Sequence, residues 1–84
     1  MASSLVTCRP YPHLAQARAD LAVARANLTE ARSAMEIAGR ELERIVTLRE
    51  RGVAAEAQLD TARANQLAKQ AEHEVAKAQV VRAE

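Results

Sequence analysis

The sequence predicts an all-α fold, an antiparallel two-helix coiled-coil hairpin with a short extended N-terminal segment, on three observations. Leu14, Leu21, Leu28, Met35 and Leu42 recur every seven residues, and Ala17, Ala24, Ala31, Ala38 and Ile45 recur with them at an offset of three. That is a sustained heptad seam. A single turn signal around Gly52 separates it from a second alanine-rich helical stretch. Composition agrees, because a chain of 84 residues with one Tyr, no Phe and no Trp has little from which to build a globular core. Alanine takes a large share of the 49% hydrophobic residues and buries little surface per residue.

The first element is extended. Pro10 and Pro12 flank Tyr11, and the residue before each proline is pushed out of the helical region, so residues 1–12 read as a strand or linker. Leu5-Val6-Thr7-Cys8 faintly resembles a lipoprotein processing site, but no charged segment and no long apolar run precedes it. Cys8 is the only cysteine, so no internal disulfide can form. Proline is tolerated in a first helical turn, and the heptads begin at once.

The first helix is expected over residues 13–51, roughly 58 Å at 1.5 Å per residue. Its seam alternates large leucines with small alanines, a narrow profile that suits a close partner helix. Gly39 falls just outside that seam and costs the helix about 1 kcal/mol relative to alanine. Arg49 and Arg51 sit in the last turn, where positive charge complements the helix dipole, and Gly52 is the expected left-handed cap. The tip is then residues 52–54.

The second helix is expected over residues 55–84, with Ala57, Ala64, Ala71 and Ala78 spaced by seven and Thr61, Ala68 and Val75 completing the seam. Leu67 and Val81 flank it. Opposite charges at helical spacing, Glu36 with Arg40, Asp60 with Arg63 and Glu74 with Lys77, mark solvated faces worth tenths of a kcal/mol each. So short a loop favours antiparallel neighbours. Folding about it sets Glu84 beside roughly residue 23, leaving the start of the first helix, with Leu14 and Leu21, without an intrachain partner.

At the tip, Arg44 is followed by Leu48 four residues on, then by Gly52-Val53-Ala54-Ala55, then by Leu59-Asp60 and Ala62. This run resembles the hairpin tip of periplasmic adaptors, the membrane fusion proteins of the HlyD-like family in Gram-negative tripartite efflux and secretion systems. In that family an Arg and a Leu four residues on are followed, seven residues later, by a Ser. Here that last position is Ala55. Arg9-Pro10-Tyr11 likewise resembles the end of a strand leading out of a lipoyl-like domain, so the resemblance covers roughly residues 9–84.

The resemblance implies a structural part in transmembrane transport. The chain would be a fragment lying in the periplasm, tied to the inner membrane in the full-length protein. Its hairpins would self-associate side by side. The tip residues Arg44, Leu48, Gly52 and Ala55 would meet a TolC-type outer-membrane channel, while missing domains would hold an inner-membrane transporter. Arg44 would offer a fork of donors and Leu48 an apolar contact. Taken without the resemblance, Arg44 is a surface partner for Glu41 or Glu43, and Leu48 is a seam residue closing the hairpin. With Ala55 in place of serine the second helix loses a capping acceptor at a cost of about 1 kcal/mol, although Gln58 is placed for the other half of a capping box.

The residue types exclude other classes. Twelve basic and eleven acidic side chains are interspersed, which gives no basic block for nucleic acid. His13 and His73 are far apart, Cys8 stands alone and no phosphate-cradling loop is present, so the expectation is no enzyme, no metal, no cofactor and no small-molecule substrate. No run approaches the apolar length of a membrane span. Two alternatives stay open: a free-standing coiled-coil dimerisation module without a transport role, and a disordered amphipathic chain that cannot offset its ordering entropy.

Overall fold

The computed structural model describes residues 12–84, and within them the chain forms two helices, α1 (Pro12–Glu50) and α2 (Glu56–Ala83). They pack against each other as one elongated antiparallel hairpin. The extended segment expected for residues 1–12, with Cys8 and Arg9-Pro10-Tyr11, lies outside the described residues apart from Pro12, which opens α1.

The α1 seam forms where the heptads place it. Ala24, Ala38 and Ile45 are buried, and Leu21, Leu28, Ala31, Met35 and Leu42 are half-buried in the same two rows. Residues 13–20 are all exposed, Leu14 among them, because α2 ends before it reaches them. Leu21, expected to lack a partner, is half-covered: Asp20 and Ala24 line one shallow depression with Gln79 and Ala83, so the last turn of α2 reaches that level.

The seam of α2 is not the one expected. Ala57, Thr61, Ala64, Ala68, Ala71, Val75 and Ala78 are all exposed, as are Leu67 and Val81. The covered rows are Leu59, Gln66, His73 and Val80, with Ala62, Lys69, Ala76 and Ala83. The reason lies at the tip, where Leu59 enters a cluster with Ile45 and Ala62, backed by Leu42, Val46, Leu48 and Ala54. One leucine next to a tight turn buries several times the apolar area of an alanine, so it fixes the rotation of the helix. Each residue seven further on then follows it inward, polar or not. His73 is the result, a side chain 13% exposed whose Nε2 is buried without a hydrogen-bond partner.

Two of the three expected charge pairs are present. Arg40 lies 4.0 Å from Glu36 and Lys77 lies 3.6 Å from Glu74, both exposed, whereas Asp60 and Arg63 do not pair. Gly39 is half-buried in regular helix, and a Cβ added there would meet nothing within 4 Å.

Candidate functional site

The tip is built by backbone hydrogen bonds that end α1 and reverse the chain. Gly52 takes φ +76°, the left-handed conformation that glycine adopts without a Cβ penalty. This aims the Gly52 N–H at the Arg49 carbonyl (2.9 Å) and the Val53 N–H at the Leu48 carbonyl (2.8 Å). The pair of bonds is a Schellman cap, which satisfies carbonyls that the helix end leaves free. Ala54 N–H also donates to the Leu48 carbonyl, at 3.3 Å. Leu48 therefore anchors the turn twice, through its carbonyl and through a half-buried side chain packed on the tip cluster.

Helix α2 starts from Ala55, whose extended backbone (φ −82°, ψ 157°) is that of an N-cap residue. Its methyl group offers no acceptor, so only half of a capping box forms: Ala55 N–H donates to Gln58 Oε1 at 2.8 Å. The Gln58 N–H turns instead to the Ala55 carbonyl at 3.1 Å. Arg49 and Glu56, on opposite sides of the turn, form an ion pair that ties the two helix ends together. Glu56 lies in the first turn of α2 and Arg49 in the last turn of α1, so both charges also face favourable helix ends.

Arg44 lies one helical turn before Leu48 and makes a two-point contact with Glu41, through Nη2 at 2.5 Å and Nε at 3.1 Å. The hydrogen bond from Arg44 holds the Glu41 carboxyl below its ordinary range, and the same bond raises the already high Arg44. Both side chains are largely solvent-exposed, so the contact orients the guanidinium more than it stabilises the fold.

Of the four tip residues singled out from the sequence, Gly52 and Ala55 fall within the connection between the helices, and Leu48 lies in the last turn of α1. Gly52, Ala55 and Arg44 are exposed, while Leu48 faces inward. Sequence reasoning passed over Val53, which stands at the apex with 71% of its surface open and is the largest exposed apolar side chain of the turn. It also passed over the Arg49–Glu56 pair, which depends on how the turn closes. Among the described residues no group of three or more His, Cys, Asp or Glu is placed to hold a metal ion, and no helix is long and apolar enough to cross a membrane. Compared with protein-family models, with curated proteins and with solved structures, the chain matches none.

Proposed function

We propose that this chain is a spacer and docking hairpin of the periplasmic adaptor type. In this reading it acts structurally, within a Gram-negative efflux or secretion assembly that joins an inner-membrane transporter to a TolC-type outer-membrane channel. One observation carries the reading: a Gly52-capped reversal at the end of a long thin hairpin, with Arg44, Gly52, Val53 and Ala55 open to solvent and Leu48 holding the turn beneath them. Such a tip can present a guanidinium fork to carbonyls or carboxylates on a facing surface. Val53 gives it an apolar point of contact at the apex.

The test is binding of the full chain to a purified TolC-type channel, with Arg44→Ala and Val53→Asp compared against the parent. Neither side chain belongs to the buried cluster. The expected result is a loss of affinity of tenfold or more for each variant with helicity unchanged. Equal binding by all three chains, or no binding by the parent, overturns the docking reading.

A second reading, a free-standing self-associating coiled coil, is favoured by a separate observation. The hairpin leaves Leu14, Val23, Ile37, Leu67, Val75 and Val81 at 42–70% exposure along its length, far from the tip.

A further inference from the structure

We propose that two copies of this chain pack face to face, in opposite directions, as an antiparallel four-helix bundle, with Ile37 and Ala68 on the two-fold axis. The proposal rests on the self-association reading and does not depend on tip docking.

The face is defined by three shallow depressions that each join one residue of α1 to one of α2. Val23 and Arg82 line the first, Glu30 and Val75 the second, Arg44 and Thr61 the third. On α1 these residues are spaced by seven and then fourteen, and so are their α2 counterparts, so Ile37 and Ala68 complete the two seven-residue rows at one level. Two parallel rows thus run along one side of the hairpin. Ile37 is 62% exposed, Val23 60% and Val75 57%. The Thr61 hydroxyl is committed to the Ala57 carbonyl at 2.9 Å, which leaves its methyl group for packing.

Between Glu30 and Arg44 on α1 and between Thr61 and Val75 on α2, these rows match themselves when reversed. With a two-fold axis at the level of Ile37 and Ala68, Ile37 meets its own copy and Ala68 meets its own copy. Glu30 and Arg44, each seven residues from Ile37, then face each other's copies and give two symmetry-related ion pairs. Thr61 and Val75, each seven residues from Ala68, also meet. Among the described residues Glu30 forms no ion pair. The Arg44 contacts with Glu41 use Nε and Nη2, and a guanidinium carries further donors for Glu30 of the other copy. Two hairpins facing the same way would instead set Glu30 against Val75, burying a carboxylate on an apolar group.

The face is large enough for a stable dimer. The helices run together for about 28 residues, or roughly 42 Å, and two helices side by side are roughly 20 Å across, giving about 800 Å², what each partner contributes to a standard stable interface. Each helix of the resulting bundle has only antiparallel neighbours, an arrangement that short-loop hairpins favour.

The test uses the full chain with Cys8→Ser, so that added cysteines report alone. Sedimentation equilibrium should give a dimer at micromolar concentration. Ile37→Lys should weaken the dimer at least tenfold. Glu30→Arg and Arg44→Glu should each weaken it about tenfold, and the double reversal should restore it. Glu30 and Arg44 lie about 21 Å apart along one helix, so restoration can come only from contacts between copies. Direction is read by mixing Gln58→Cys chains with Gln79→Cys chains, which should cross-link to each other. A dimer that fails to form this cross-link, or that ignores Ile37→Lys, overturns the antiparallel arrangement and leaves the self-association reading standing. A parent chain that stays monomeric at 100 μM overturns both.

Discussion

At the tip the seam closes on large side chains, and away from it the seam closes on alanines. Ile45, Leu59 and Ala62 are buried together there, with Leu42, Val46, Leu48 and Ala54 packed around them. Beyond that cluster the buried residues are Ala24, Ala38 and Ala76, and the remaining inward positions of α2 include Gln66, Lys69 and His73. A methyl group buries a small fraction of the surface of a leucine, and a partnerless imidazole nitrogen opposes burial. The hairpin is therefore clamped at one end and lightly held at the other. Local opening should begin at the open end and proceed toward the turn.

The comparison breaks most directly at Leu59. Leu59→Ala should destabilise the chain by about 3 kcal/mol, within the range for truncating a buried leucine, and should release the rotation of α2 as well. Val80→Ala, at a half-buried position near the open end, should cost only about 1 kcal/mol. Urea titrations followed by circular dichroism measure both, and equal losses would mean that the seam is uniform.

The next effect has the opposite sign. His73→Leu replaces a buried nitrogen that lacks a partner with apolar volume of similar size, and should stabilise the chain by about 1–2 kcal/mol. The gain should be local, with slower amide exchange over the neighbouring turns of both helices and little change at Gly52 or Val53. A destabilised His73→Leu chain would show that the imidazole fits its place in the seam.

These two substitutions also mark what could be read from the sequence. The α1 seam was legible because Leu and Ala alternate there, so size and period point to one face. The reversal was legible because glycine alone takes a positive φ cheaply, and Arg49 and Gly52 flag the helix end. In α2 nearly every face carries alanine, so the cleanest heptad row, Ala57 to Ala78, is the exposed one, and the true seam is interrupted by Gln66, Lys69 and His73. What fixes the rotation is a tertiary contact, Leu59 against Ile45, that no periodicity encodes. At the tip, the family resemblance pointed to Arg44 and Leu48, and the spacing from Ala55 placed Gln58 for half of a capping box. Neither could show that Val53 would stand clear at the apex, which follows from the geometry of the Gly52 cap.

Backbone terms come next in size. Gly52→Ala forces a Cβ into the left-handed region and should cost about 1–2 kcal/mol, although no neighbouring atom obstructs it. Gly39→Ala meets open space in regular helix and should gain about 1 kcal/mol. Ala55→Ser should add the missing acceptor opposite Gln58 and gain about 1 kcal/mol. Comparing the three melting temperatures separates the turn from the helix bodies. A neutral Gly52→Ala would show that the cap is not what holds the tip.

The smallest effect is the pH response of the tip, and its sign follows from Glu41. The hydrogen bond from Arg44 lowers the Glu41 carboxyl in the folded chain relative to its ordinary value of 4.5, slight burial opposes this, and the charge of Arg44 adds to it. A carboxyl held low when folded favours folding when it is ionised in both states, above the ordinary glutamate range. That contribution disappears as pH falls through the depressed folded value. The pair is largely exposed, so solvent and salt screen it. The melting temperature should therefore fall slightly more between neutral pH and pH 3 for the parent than for Glu41→Gln, and the difference should shrink in high salt. If the two chains lose stability in parallel, the Arg44–Glu41 contact orients the guanidinium without contributing to the fold, and acid sensitivity has to come from the remaining carboxylates.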